Sequence, residues 1–162
     1  RMWDHLRALP VQRWIHYTAK AICMVTMLAF MTFAVPVLVW AALHLGTMID
    51  PGAAPVGVLD WRAVATTSSR LLLAALLLSA VQLWVALRFH SFVPAIVVGI
   101  GGTFFAVVAP SAKIGIISPW QIPLNAIGGD AERAGFALTF GSLAGLIMLT
   151  GAIIHLARRE VV

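Results

Sequence analysis

Long uncharged runs broken by short polar clusters set the pattern of this chain. Ala21 to Leu45 holds no formal charge, and neither do Leu71 to Leu87, Ser91 to Ala112 or Ala134 to Leu156. A helix needs about 20 apolar residues to cross a bilayer core. Leu71–Leu87 falls short alone, but it lengthens backward through Ser69, Ser68, Thr67 and Thr66 to Trp61, where Asp60 can serve as N-cap. The pattern predicts four membrane helices at about 21–45, 63–87, 91–112 and 134–156. Pro36 is expected to kink the first, and Pro94 sits in the first turn of the third, where proline is tolerated. Gly46 to Leu59, with Pro51 and Pro55, reads as a loop, whereas Arg88-Phe89-His90 leaves room only for a tight helical hairpin.

Two segments depart from simple span-and-loop alternation. After the third run comes Lys113 and then a second apolar stretch, 113–127, broken by Pro119 and Pro123 around Trp120. It is too short to cross a bilayer and too apolar for a watery loop, which predicts a re-entrant hairpin. Non-helical backbone survives at that depth only where protein or a wet cavity satisfies it. At the other end, residues 1–19 form an amphipathic segment. Trp3, Leu6 and Leu9 share one helical face away from Asp4 and Arg7, and Pro10 ends that short helix. Trp14, Tyr17 and Lys20 then read as interfacial anchors. The front helix either rests on lipid headgroups or docks on a cytoplasmic partner.

Composition changes the picture in one direction. The chain is 61% hydrophobic and 10% charged, with mean hydropathy +0.97, where soluble domains carry about 25% charged residues. The expected class is therefore an all-α polytopic membrane protein, a single transmembrane domain over residues 1–162. The net charge of +5 belongs at helix ends facing anionic headgroups rather than on nucleic acid. Cys23 is the sole cysteine and behaves as a small hydrophobe. Arg1, Arg7, Arg13, Lys20, Arg88, Arg158 and Arg159 lie on one side against Asp4 and Glu160, a net of +5. The other side holds Arg62, Arg70, Lys113 and Arg133 against four acids, a net of zero. The basic side is expected to face the cytoplasm, with both termini there and the broken hairpin outside.

Candidate chemistry is sparse. Gly99, Gly101 and Gly102 lie inside an uncharged run with Phe104 where a nucleotide loop would want glycine, so helix packing accounts for them. Gly141 and Gly145 form a G-x-x-x-G pair with the same meaning, and the pattern does not tell whether they pack within the chain or on a second copy. Arg70 is a possible intramembrane charge that can equally snorkel, and Gln82 reads as interhelical glue. The five histidines fall at span ends or in the front segment, without metal-ligand spacing. Neither paired carboxylates nor a nucleophile–base pair occur within the spans, which counts against a membrane enzyme. No catalytic, metal or cofactor site is expected.

The segment Leu6-Arg-Ala-Leu-Pro-Val-Gln-Arg-Trp14 followed by Tyr17-Thr-Ala-Lys20 resembles the coupling region of type-2 ABC exporter permeases. The resemblance continues in Gln82-Leu-Trp-Val-Ala-Leu-Arg-Phe-His-Ser-Phe92, Gly99-Ile-Gly-Gly-Thr-Phe104 and Ser118-Pro-Trp-Gln-Ile-Pro123. The set is most similar to permeases of lantibiotic-immunity, or bacteriocin self-protection, transporters. It implies an exporter of amphiphilic peptides or lipid-like compounds in the plasma membrane, paired with a second permease chain. Trp3, Asp4, Leu6, Arg7, Leu9, Pro10 and Arg13 would contact a separate ATP-binding subunit. Lys113, Pro119, Trp120 and Pro123 would form a gate at the outer end of the path. Such permeases have six spans, so two would be missing ahead of Arg1. The chain carries no phosphate-cradling Gly-x-x-x-x-Gly-Lys-Ser/Thr loop, which leaves ATP to the partner. A different class also fits the pattern: a four-span self-assembling scaffold or channel without an ATPase.

Overall fold

A computed structural model describes residues 12–54, 57–108, 113–128 and 130–158. Among them the chain is all-helical, with five α-helices and no strand. These are α1 (Arg13–Ile49), α2 (Trp61–Arg88), α3 (Val93–Val108), α4 (Ile122–Gly128) and α5 (Ala131–Arg158). Three of them, α1, α2 and α5, are long and apolar enough to cross a membrane, which makes the chain compatible with a membrane protein.

Helix boundaries follow local chemistry. Asp60 caps α2, its carboxylate accepting from the N–H groups of Arg62 at 2.9 Å and Ala63 at 3.2 Å. Ser91 receives the Val93 N–H at 3.2 Å, and Pro94 follows in the first turn of α3, where no N–H is needed. Helix α1 runs through Pro36 without ending. It begins at Arg13 rather than Ala21, so Trp14, Tyr17 and Lys20 occupy its first two turns and are not part of a separate front segment. It also takes in Gly46–Ile49 from the expected loop, leaving Asp50–Asp60 with a short 3-10 turn at Pro51–Ala53. The expected docking helix over Trp3–Pro10 lies outside the described residues.

Helix α3 begins two residues into its uncharged run. Its described part spans 16 residues, about 24 Å at 1.5 Å per residue, and the last four positions of the 91–112 stretch are outside the described residues. Helix α4 emerges inside what read as a purely broken stretch. Pro119 disfavours helix at Ser118, and Pro123 then fits the first turn of a new helix.

The packing order fixes the chain's path. Helices α2 and α5 form the main contact and run parallel: Gly141 faces Ala74, Gly145 faces Leu77, and His155 stands 6.3 Å from Trp84. Helix α3 runs back along α2, since Gln82 meets Ala95 and Gly99 near one end. Near the other, the Ala106 carbonyl meets Gln121, the neighbour of Ile122, which sits on Ala74. The core is small and built around α4: Ala74, Leu77, Ile122, Ala126 and Ala137, with Ile122 fully buried. In α1, by contrast, Ala21 is the only buried residue.

Candidate functional site

Two features of the bundle could carry function: the broken element before α5, and a groove between α1 and α2. The broken element starts with a 3-10 turn, Lys113–Ile116, and ends in α4. Its turn is knitted by one carbonyl. Ser118 accepts from the N–H groups of Gln121 at 2.9 Å and Ile122 at 3.1 Å, which launches α4. The Gln121 side chain is 4% exposed and donates to the Ala106 carbonyl at the end of α3. Buried amides are costly unless paired, so this bond pins the turn to α3. Trp120 closes the same junction by lying over Gly102. A Cβ on Gly102 would collide with the indole ring, so the ring occupies the space a side chain would need.

The element also sits deep along α5. Ile122 packs where a Gly141 Cβ would be, 2.8 Å from it. Gly141 is about ten residues, or ~15 Å, beyond the start of that helix. From there α4 climbs back to Ala131. Pro119, Trp120 and Pro123 thus belong to one packed unit. The side chain of Lys113 lies outside what is described.

The glycines divide into three kinds. Gly141 and Gly145 face α2 of the same chain, where a Cβ would lie 2.7 Å from the Ala74 carbonyl oxygen or the Leu77 nitrogen. Gly99 lets the Gln82 amide approach, and Gly102 receives Trp120. Around Gly101 no atom of the described chain lies within 4 Å of its would-be Cβ. Gln82 spans the Ala95–Gly99 rung of α3, donating to the Ala95 carbonyl at 3.3 Å and accepting from the Gly99 N–H at 3.1 Å. Arg70, the tenth residue of α2, is exposed on the helix surface. Arg13 opens α1, and the remaining residues of the expected coupling set, Trp3, Asp4, Leu6, Arg7, Leu9 and Pro10, lie outside the described residues.

The groove between the second half of α1 and the first half of α2 encloses about 1250 Å³. Met31, Val35, Val39 and Leu71 give it apolar walls, and Trp40, His44 and Trp61 gather at one end. Trp40 and Trp61 meet edge to face at 5.8 Å, and His44 turns Nδ1 to the Trp40 carbonyl at 3.0 Å. Ser68 also lines the groove and is 7% exposed.

Sequence reasoning missed Gln121, Ile122 and Ser68. A glutamine inside the apolar run Trp120-Gln121-Ile122 was the available signal for the first. Ser68 carries no such signal, standing among Thr66, Thr67 and Ser69. Among the described residues, no group of three or more His, Cys, Asp or Glu is arranged to hold a metal. Comparison of the chain with protein families, with curated proteins and with solved structures finds no match.

Proposed function

We propose that this chain is a membrane permease subunit of an ATP-driven exporter of amphiphilic compounds, with helices 61–88, 93–108 and 131–158 and the long α1 as its four crossings. The observation that carries the transport reading is the broken element wedged between α2 and α5. Passive anchors have no use for interrupted helix at depth, whereas a path through the membrane does. Ile122 on Gly141, with α4 climbing back toward Ala131, supports a re-entrant hairpin entering from the side opposite both termini. The parallel run of α2 and α5 supports α3 as a crossing, since the chain has to return along the bundle between them. The charge balance of +5 against zero supports cytoplasmic termini.

Coupling to a separate ATPase, pairing with a second permease chain, and a lantibiotic-like cargo rest on the sequence resemblance of residues 6–20, 82–92, 99–104 and 118–123. A self-assembling scaffold or channel is the weaker reading, because the Gly141–Gly145 face it would use between copies is filled by α2 of the same chain.

Co-purification in mild detergent with the products of neighbouring genes tests the proposal. Recovery of an ATP-binding subunit supports it, and a homo-oligomer that conducts ions alone sinks it. A sharper arm uses Leu6→Asp. If the front helix docks on an ATPase, a charge in that contact costs about 2 kcal/mol or more. Substrate-stimulated hydrolysis is then lost at normal membrane levels. Unchanged hydrolysis and export in Leu6→Asp would remove the docking role.

A further inference from the structure

We infer that α3 is hinged at Gly99, with the Gln82 amide and the Thr103 hydroxyl standing in for the backbone partners that Gly99 gives up when the helix bends. The hinge goes beyond the permease reading and does not depend on an ATPase partner.

The backbone around Gly99 is served twice. In a helix the Gly99 N–H donates to the Ala95 carbonyl, and the Gly99 carbonyl accepts from the N–H of Thr103. The half-buried Gln82 amide lies across the first of these rungs, donating to the Ala95 carbonyl at 3.3 Å and accepting from the Gly99 N–H at 3.1 Å. At the second rung the Thr103 hydroxyl donates to the Gly99 carbonyl at 2.8 Å. Three backbone groups at one point of the helix therefore have side-chain partners. The approach needs glycine, since a Cβ on Gly99 would meet the Gln82 amide at 2.8 Å.

In lipid an opened rung leaves a bare N–H and a bare carbonyl, a cost that holds most membrane helices straight. Helices kink where a side chain enters the ladder and re-satisfies those groups. A glutamine acting only as glue needs one bond to its neighbour. Gln82 instead brings a donor and an acceptor to the two ends of the same rung, which is what a bend there requires. Hydroxyl back-bonding adds to the tendency to bend. By itself it marks nothing, because Thr150 does the same to Leu146 at 2.8 Å within α5. The amide is what sets Gly99 apart.

Burial decides which half moves. Beyond Gly99, Gly102 lies under Trp120 and the Ala106 carbonyl accepts from Gln121, beside the core residue Ile122. That half is anchored. Ala106 is the one buried residue of α3, whereas Phe92, Val93, Ile96 and Val97 are all exposed. Pro94 also lacks an N–H, which takes one rung from the first turn. The arm is thus Phe92–Val98. A kink of about 20° acting over about 10 Å of helix moves Phe92 by about 4 Å.

The test is a spin-label distance measurement on the full chain in phospholipid nanodiscs. The background is Cys23→Ser, and the labelled pair is Phe92→Cys with Leu143→Cys, two exposed positions on the arm and on α5. A second, shifted distance holding about a tenth of the population is expected. The pair Val107→Cys with Leu143→Cys, reporting the anchored half, is expected to give one distance. Gln82→Leu removes both substitute bonds and is expected to lower the shifted population at least fivefold, the worth of one hydrogen bond. Thr103→Val leaves the contact with α2 untouched and is expected to lower it in the same direction, while Thr150→Val is expected to change nothing. A single Phe92–Leu143 distance in the parent would overturn the hinge. So would a shifted population that persists or grows in Gln82→Leu, which is the behaviour of simple glue, or one that Thr103→Val leaves unchanged.

Discussion

Helices α1 and α5 are both long, apolar and nearly free of charge, yet they are used in opposite ways. In α5 the buried positions are Ala137, Gly141, Gly145, Ala152 and Leu156, four of them small, and the two glycines lie against α2. In α1 the residues are larger and face outward: Phe30 is 63% exposed and Leu38 65%, and only Ala21 is buried. Hydrophobicity therefore does not decide which helix joins the core. Between helices in lipid, a leucine gains little by leaving lipid for protein, whereas backbones that can approach closely gain dispersion contacts. The small-residue face becomes the bundle interior, and the bulky face is left for the surroundings and for the groove beside it.

This contrast can be broken most directly at Gly141. Replacing it with leucine drives a side chain into the Ala74 backbone, which cannot move aside as a side-chain tip can. The expected loss is about 3 kcal/mol or more, read from reversible unfolding in mixed micelles. Gly145→Leu is expected to behave alike, because its would-be Cβ meets the Leu76–Leu77 backbone. If either variant were as stable as the parent, the α2–α5 contact would not be the core.

Ile122→Ala comes next. The residue is fully buried among Ala74, Ala126 and Ala137, so truncation is expected to cost about 2–4 kcal/mol by the same measurement. Gly102→Ala is milder. It displaces the Trp120 ring, which can tilt, and an expected loss of about 1–2 kcal/mol should accompany a shift in tryptophan fluorescence. No fluorescence change would separate Trp120 from α3.

On α1 the expectation is close to nothing. Leu38→Ala should stay within about 0.5 kcal/mol of the parent, because the side chain is exposed. A loss as large as that of Ile122→Ala would mean that this face is covered by another chain. The smallest effect, with the opposite sign, belongs to Gly151→Ala. Nothing lies within 4 Å of its would-be Cβ, so the substitution should stabilise α5 by up to about 1 kcal/mol in the same unfolding assay.

Much of the helix layout was legible residue by residue. Uncharged runs located three long helices, and Asp60 before Trp61 marked where α2 starts. The ends of α1 were less legible. Trp14, Tyr17 and Lys20 have interfacial chemistry, but an interfacial residue can sit on the same continuous helix as the span, and here it does. Helix α4 was hidden for a related reason: two prolines four apart look like a broken stretch, although the second begins a helix instead of ending one. In the candidate sites, Trp120 drew attention through its setting between prolines. Its resting place on Gly102 joins elements that no local pattern relates.

The sequence by itself determined the all-helical class of this protein and where its long apolar helices lie, because hydropathy and helix capping act within a few residues of one another. It also carried the G-x-x-x-G pair and the charge asymmetry. The tertiary structure alone decided that Gly141 and Gly145 are spent on α2, that Gln121 pins the broken element to α3, and that Ser68 is buried while Thr67 and Ser69 are exposed. Each of those outcomes depends on the rotation of one helix about its axis relative to another. That rotation is set by close packing of small residues far apart in the chain, and a one-dimensional pattern does not encode which small residue meets which backbone.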